Sequence, residues 1–149
     1  MASGVSKRAT TTWQGDLPTG SGSFSGQSGA LTDQAVSWAS RTGDANGKTS
    51  PEELLAAAHS ACYAMAFSYG LGNAGHAPQR LEVTAEVAFA PKTAGGFEVK
   101  SSHLTVTGTV DGMDQATFTS LADEASRTCP ISAAITGNVE ITVDATLSS

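Results

Sequence analysis

The segment between Ser50 and Gly72 constrains the fold most, because it predicts a long helix that is apolar on more than one face. Ser50 is a favourable N-cap, Pro51 suits the first helical position, and the two glutamates that follow complement the helix dipole. Gly70 and Gly72 provide stop signals. Because a helix that is apolar nearly all round is buried by protein on most sides, the sequence predicts a central helix.

Short strand patterns precede this helix. Ala9–Gln14 predicts one strand, and Gly22–Ser28 with Ala30–Val36 predicts a hairpin around Gly29. The polar segment Arg41–Thr49 is too rich in glycine for a helix and is expected to be a loop. The first fifty residues therefore predict strands joined by turns.

Longer elements follow the helix. Apolar and polar residues alternate over Leu81–Phe89, and a second arm over Phe97–Val110 completes a predicted long hairpin. Asp114–Thr128 predicts an amphipathic helix, Cys129–Ile135 a short apolar turn or helix, and Val139–Leu147 a last strand. This order of elements predicts an α+β fold, with helices against one face of a mostly antiparallel sheet.

Length and charge restrict the classes of function. The 149 residues suit a single domain spanning 1–149, which would bury about 70% of its unfolded surface. Lys and Arg number 8 against 14 Asp and Glu, so the net charge is −6 and the sequence pI is near 4.8. Phosphate binding needs clustered Lys and Arg, and Lys7-Arg8 is the only adjacent basic pair. No nucleic-acid partner is therefore expected.

Neither a secretory signal nor a membrane span is expected. The N-terminus lacks the apolar stretch of a signal peptide. The longest apolar run is interrupted by His59 and Ser60 and is rich in alanine, which gains little from lipid. These features predict a cytoplasmic protein without a membrane partner.

The two cysteines, Cys62 and Cys129, are either buried spectators or redox-active thiols. A thiol becomes a useful nucleophile only when a cation or a helix N-terminus stabilises its thiolate. Cys129 precedes Pro130 at a predicted helix start, which would place its sulfur near backbone N–H groups. Cys62 lies in the middle of a helix and needs a cation from elsewhere, for which Arg41 is the candidate.

These cysteines stand in two motifs that resemble those of one family. The segment Ser50-Pro-Glu-Glu-Leu-Leu-Ala-Ala-Ala-His-Ser-Ala-Cys62 and the segment Cys129-Pro-Ile-Ser132 are similar to the cysteine motifs of the OsmC/Ohr family. This family comprises osmotically inducible protein C and organic hydroperoxide resistance protein. The opening Trp13-Gln-Gly-Asp16 and the last strand also match, and the opening, with Ile131, favours the OsmC branch.

The resemblance implies a fold, an assembly and an activity. The fold would be OsmC-like, with mostly antiparallel sheets packed on a long buried helix, in an intertwined homodimer with active sites at the subunit interface. The activity would be that of a thiol-dependent peroxidase for organic hydroperoxides and hydrogen peroxide. An external dithiol, of the lipoyl type in this family, would be the reductant. No metal and no bound organic cofactor would be required.

Four residues carry the implied chemistry. By the resemblance, Cys62 would be the peroxidatic thiolate that becomes a sulfenic acid, and Cys129 the resolving thiol that forms a disulfide with it. Arg41 would stabilise the thiolate and polarise the peroxide, and Glu52 would hold the Arg41 guanidinium by a bidentate pair.

Helix geometry adds a prediction about Glu52. It stands ten residues before Cys62, which is about 15 Å along a helix and about 80° off the same face. If two such helices cross antiparallel about a two-fold axis at Ala57, residue i of one lies opposite residue 114 − i of the other. We therefore expect Glu52, together with Arg41, to act across the dimer.

Three other interpretations stay open. His59, three residues before Cys62, would allow a metal site or a Cys–His hydrolase pair, although a core or interface histidine is the plainer reading. A binding or structural dimer of the same fold, without redox chemistry, is the alternative function. Met65, Phe67 and Tyr69 are expected in the core or in a pocket wall, and an apolar pocket would favour organic hydroperoxides.

Overall fold

The structure, a computed structural model, describes residues 3–148 and contains two compact units, Met1–Pro51 and Glu52–Ser149. The first unit holds a three-stranded antiparallel sheet in the order β1-β2-β3, followed by a short helix. Its elements are β1 (Ala9–Gln14), β2 (Ser21–Gly26), β3 (Gln34–Val36) and α1 (Trp38–Thr42). The predicted first strand is confirmed, and the predicted hairpin forms with a shorter second arm, Gln34–Val36 in place of Ala30–Val36.

The end of the first unit differs from the prediction. Arg41 was expected in a loop, but it lies in the last turn of α1. Ser37 and Ser40 explain the difference, because each side chain caps the other residue's backbone N–H at 3.1 Å and so closes a capping box. Gly43 follows as the C-cap, and the glycine-rich stretch beyond it carries no helix.

The long helix α2 (Pro51–Asn73) begins where the sequence predicts, but it runs past both predicted stop glycines. It ends in a Schellman motif instead. The His76 N–H donates to the Leu71 carbonyl at 2.9 Å, and the Gly75 N–H donates to the Gly72 carbonyl at 3.0 Å. Gly75 has φ +87°, a left-handed conformation that glycine adopts without steric cost. The residue that stops the helix is therefore Gly75.

A second sheet follows α2, in the order β4-β5-β6. The strands β4 and β5 form the predicted antiparallel hairpin, whereas β6 pairs with β5 in parallel after a crossover through two helices. The elements are β4 (Arg80–Pro91), β5 (Phe97–Thr109), α3 (Gln115–Thr128), α4 (Pro130–Ile135) and β6 (Glu140–Ser148). The predicted positions of all five are confirmed to within a few residues.

A bulge in β5 explains why its apolar residues shift from odd-numbered to even-numbered positions along the strand. Val99 is odd-numbered, whereas Leu104 and Val106 are even-numbered. The pairing steps from Phe89↔Val99 to Ala88↔Ser101, so Lys100 is an extra residue in this strand. The bulge puts the even-numbered residues of the following segment, including Ser102, on the buried face.

The core of the second unit lies between this sheet and the helices α2 and α3. From α2 it takes every fourth residue, and the ring of Phe67 packs on that of Phe118 in α3 with centroids 4.9 Å apart. The buried members are Tyr63, Phe67, Leu71, Leu104, Val106, Val110, Phe118, Ala122, Ala125 and Cys129. Helix α2 is thereby fixed in rotation, with one face in the core.

The opposite face of α2 is exposed in the single chain, contrary to the expected burial on most sides. Met65 is 72% exposed and Tyr69 is 73% exposed, and small residues continue the face toward the N-terminus at Ala57, Ala58 and Ala61. The helix is also long and apolar enough to pass a length-and-composition test for a membrane span, a test that core helices pass too. Contiguous exposed apolar side chains are typical of interaction surfaces.

Replacing Gly108 with Ala is expected to destabilise the fold by about 1–3 kcal/mol, because the site is overpacked. A Cβ atom at Gly108 in β5 would lie 2.6 Å from Phe118 Cζ and 3.0 Å from Leu81 Cδ2. The control is Gly72→Ala in α2, where a Cβ meets nothing within 4 Å. That variant is expected to gain about 0.5–1 kcal/mol from helix propensity. Urea unfolding of both variants tests this, and equal midpoints would contradict it.

Candidate functional site

The two cysteines, far apart in sequence, meet in the second unit. Cys62 lies half-buried in the middle of α2, and Cys129 is fully buried between α3 and α4. Both are thiols, and the side chain of Cys62 is hydrogen-bonded to that of Cys129. The backbone N–H of Ile131 also donates to the Cys62 sulfur. The pair is therefore close enough for direct sulfur chemistry.

The Cys129-Pro130 dipeptide makes the turn that creates this contact. A residue before proline is pushed to extended backbone, and Cys129 has φ −64° and ψ 120°. It is at once the C-cap of α3 and the N-cap of α4, with its N–H on the Ala125 carbonyl at 2.9 Å. The early N–H groups of a helix have no partner within the helix, and that of Ile131 is satisfied by the Cys62 sulfur.

Burial raises the pKa of the Cys62 thiol, and this is the largest effect on it. The Ile131 N–H favours the thiolate and opposes the shift, whereas the neighbouring Cys129 side chain reinforces it. The effect of burial on the pKa of Cys62 is therefore larger than the opposing effect of the Ile131 N–H. A sulfur in this position needs a cation beside it before its thiolate is well populated at neutral pH.

His59 lies one turn before Cys62 and is fully buried. Its Nδ1 is 2.7 Å from Ser102 Oγ, and its Nε2 is 2.7 Å from Ser132 Oγ. Burial lowers the pKa of this ring, so it is neutral at pH 7. Both nitrogens are occupied by serines, which leaves neither to accept a proton from Cys62. This geometry opposes a Cys–His hydrolase pair and matches the simpler interpretation of a core histidine.

The two charged candidates lie in different units. Glu52 is in the first turn of α2 and is 7% exposed, whereas Arg41 is half-buried in α1. Arg41 lines an apolar cavity of about 250 Å³ in the first unit. The other residues of its wall are Trp13, Leu17, Val36, Ser37, Trp38 and Pro51. The structure thus brings the two cysteines together, and the joint action of Glu52 and Arg41 stays a prediction.

A second cavity, of about 330 Å³, is lined by residues of α2 and α3, and neither cysteine is part of its wall. Ala66 in its wall stands one turn after Cys62 on the same helix, and Thr128 directly precedes Cys129. Its full lining is Ala66, Tyr69, Gly70, Asn73, Ala74, Leu121, Glu124, Ala125 and Thr128. Of the three residues expected in a core or pocket wall, Phe67 is in the core and Tyr69 lines this cavity. Met65 lines a third, more open cavity, together with Tyr69.

Three groups that contact His59 or Cys62 were not predicted from the sequence: Ser102, Ser132 and the Ile131 N–H. Ser102 had a signal, because a polar residue in register with Leu104 and Val106 on a buried strand face needs a polar partner. No signal in the sequence ties Ser132 to His59, which is 73 residues away. Over residues 3–148, no group of three or more His, Cys, Asp or Glu side chains is placed to hold a metal ion.

Comparison with known proteins gives a consistent result. The family model for OsmC-like proteins matches residues 43–144. Peroxiredoxin OsmC of Escherichia coli (strain K12) is 37% identical over 145 residues, covering 97% of this chain and 99% of the relative. The organic hydroperoxide resistance protein of Xanthomonas axonopodis pv. citri is 32% identical over 100 residues, or 64% of this chain and 65% of the relative.

Solved structures share the fold. The organic hydroperoxide resistance protein from Elizabethkingia anophelis gives a TM-score of 0.75 at 24% identity, covering 99% of this chain and 100% of that chain. OhrB of Bacillus subtilis gives a TM-score of 0.69 at 24% identity, covering 93% and 97%. These matches confirm the predicted α+β fold and the resemblance on which the site residues were chosen.

Acid is expected to destabilise the fold through His59. Burial lowers its pKa below the ordinary value of 6.5, so the unfolded chain binds the proton first as the pH falls. The free energy of unfolding therefore decreases below about pH 6.5, by up to about 1.4 kcal/mol per pH unit from this residue. Urea unfolding at about pH 7.5 and about pH 5.5 measures it. In His59→Gln the decrease should be smaller, and an equal decrease in both proteins would contradict the assignment.

Proposed function

Because the chain belongs to the OsmC-like protein family, we propose that it is a thiol-dependent peroxidase that reduces organic hydroperoxides and hydrogen peroxide. The contact between the thiols of Cys62 and Cys129 is the observation that carries the proposal. The names peroxiredoxin and organic hydroperoxide resistance protein, borne by relatives, support the same class of reaction. We also propose that residues 1–149 form one OsmC-like domain that works in the reducing cytoplasm.

The proposed reaction needs only the two sulfurs, a peroxide and a dithiol. The Cys62 thiolate attacks the distal peroxide oxygen, so an S–O bond forms, the O–O bond breaks, and the alkoxide leaves as alcohol after protonation. The Cys129 thiol then attacks the sulfenic sulfur, the S–S bond forms, and water leaves. An external dithiol of the lipoyl type reduces this disulfide and is itself oxidised to a disulfide.

Arg41 is proposed as the cation that this sulfur requires. Because burial raises the pKa of Cys62, a guanidinium beside it would recover the thiolate and would also polarise the O–O bond. Glu52 would hold that guanidinium by two parallel hydrogen bonds. Its burial in the first turn of α2 suits a carboxylate with a fixed structural partner.

A second copy of this chain is the proposed occupant of the exposed face of α2. Met65 and Tyr69 supply apolar area, and the alanines at positions 57, 58 and 61 allow two helices to approach closely. With a two-fold axis at Ala57, Glu52 of one subunit would lie opposite Cys62 of the partner subunit. The proposed enzyme is therefore a homodimer whose sites are completed across the interface.

The cavity lined by α2 and α3 bears on the choice of peroxide. It is lined mainly by alanines, Leu121 and the ring of Tyr69, and its volume of about 330 Å³ would admit an organic substituent. Burying an alkyl or aryl group there would favour its peroxide over hydrogen peroxide, which has no apolar part. Organic hydroperoxides are therefore the proposed preferred substrates.

Cys62→Ser is expected to abolish turnover of an alkyl hydroperoxide with dihydrolipoamide, because it removes the attacking sulfur. Cys129→Ser is expected to consume about one equivalent of peroxide and then stop at the sulfenic acid, which a dimedone probe labels. The measurement is peroxide loss with time for the three proteins. Steady turnover by Cys62→Ser would contradict the assignment, as would unlabelled Cys129→Ser after peroxide treatment.

Mixing two inactive variants tests the action across the dimer. In a mixed dimer of Cys62→Ser and Glu52→Gln, one site joins the intact Cys62 of one subunit to the intact Glu52 of the other. After unfolding and refolding at equal concentrations, half the dimers are mixed and each has one complete site of two, so about a quarter of wild-type activity should return.

The control is each variant refolded alone, which has no complete site. If Glu52 acts on the Cys62 of its own chain, every site in the mixed dimer is damaged. Activity no greater than the average of the two parents would then contradict the crossed arrangement.

A further inference from the structure

His59 joins three elements of the second unit at one buried point. It stands on α2, its Nδ1 bonds to Ser102 of β5, and its Nε2 bonds to Ser132 of α4, both at 2.7 Å. All three side chains are at most 2% exposed. Buried polar groups without partners are strongly unfavourable, so this network favours one relative position of the three elements.

The two hydrogen bonds of His59, here called the Ser102 arm and the Ser132 arm, connect it to different kinds of element. Ser102 belongs to the central strand of a sheet, where ladders on both sides already fix the backbone. Ser132 belongs to α4, a helix of six residues that begins immediately after Cys129. The same turn carries the Ile131 N–H that donates to the Cys62 sulfur. Only the Ser132 arm therefore acts on the segment that faces the reactive thiol.

The chemistry of the ring suits a fixed bridge and not a proton carrier. A neutral imidazole has one N–H donor and one acceptor nitrogen, and a serine hydroxyl can serve either. One serine thus donates to His59 and the other accepts from it, which satisfies both ring nitrogens. Nothing of the ring remains available to exchange protons with Cys62 or Cys129.

We infer that His59 is a positioning residue for closure of the Cys62–Cys129 disulfide, acting through Ser132. By holding the first turn of α4 against α2, it keeps the Cys129 thiol and the Ile131 N–H directed at the Cys62 sulfur. The role in peroxide turnover rests on the proposed function. The positioning of the two sulfurs does not, because it concerns the geometry of the thiol pair itself.

The test compares Ser132→Ala with Ser102→Ala, a matched pair in which each variant removes one buried hydroxyl from His59. Closure is driven by diamide, which takes up two electrons and two protons as the S–S bond forms, so no peroxide is involved. Ser132→Ala is expected to close on the order of 10- to 100-fold more slowly than wild type, since small misplacement of reacting atoms slows a reaction by such factors. Ser102→Ala is expected to close at close to the wild-type rate.

A second readout separates positioning from lost stability. Alkylation of Cys62 against pH reports the pKa of its thiol, which should rise in Ser132→Ala when the Ile131 hydrogen bond is loosened and stay unchanged in Ser102→Ala. Urea unfolding of both variants measures the stability that each has lost. Ser132→Thr keeps the hydroxyl and should restore rapid closure.

Closure at the wild-type rate in Ser132→Ala, or equal slowing in both alanine variants, would overturn the inference. Slow closure in Ser132→Thr would do the same. Because diamide replaces the peroxide, wild-type protein that closes its disulfide but turns over no peroxide would overturn the proposed function alone.

Discussion

The packing of one face of α2 into the core determines where the functional groups of the second unit lie. His59, Tyr63, Phe67 and Leu71 follow each other at four-residue spacing and are all fully buried. The Tyr63 hydroxyl donates to the Ala122 carbonyl at 2.8 Å, which ties α2 to the middle of α3. Cys62, next to Tyr63, packs against the buried cluster that includes Cys129. The sulfur contact follows from hydrophobic packing around it and needs no strained backbone.

The same burial that aligns the sulfurs works against their reactivity. Removing a thiol from water raises its pKa, and a backbone N–H recovers only part of that shift at Cys62. A thiol whose pKa is raised by burial needs a cation before it can act as a nucleophile at neutral pH. In the proposed mechanism, the two reacting sulfurs belong to the second unit, and the guanidinium of Arg41, which activates Cys62, belongs to the first. The exposed face of α2 offers the surface on which a second copy could complete the site.

Local signals predicted most elements, and long-range contacts account for what was missed. Pro51 after a serine placed the start of α2, and the amphipathic spacing over Asp114–Thr128 placed α3, for which Asp114 proves to be the N-cap. The end of α2 was placed too early, because Gly70 and Gly72 remain helical and Gly75 provides the left-handed turn. Helix α1 was missed because its start depends on Ser37 and Ser40 capping each other. In the sequence, this pair is a weak helix signal next to a glycine-rich stretch. Both cysteines were identified through their motifs, whereas the Ser132 partner of His59 depends on a crossover that no local pattern reveals.

Mass spectrometry of the oxidised protein tests the proposal that Cys62 and Cys129 form one redox centre. Reduced protein is treated with one equivalent of cumene hydroperoxide, and its intact mass and its peptide map are measured without reductant. If the two cysteines form one centre, each chain should lose two hydrogen atoms, and the peptide map should show a single cross-linked peptide pair that contains Cys62 and Cys129. Protein that keeps both thiols while the peroxide persists, or that gains oxygen at Cys62 while Cys129 stays a thiol, would contradict it.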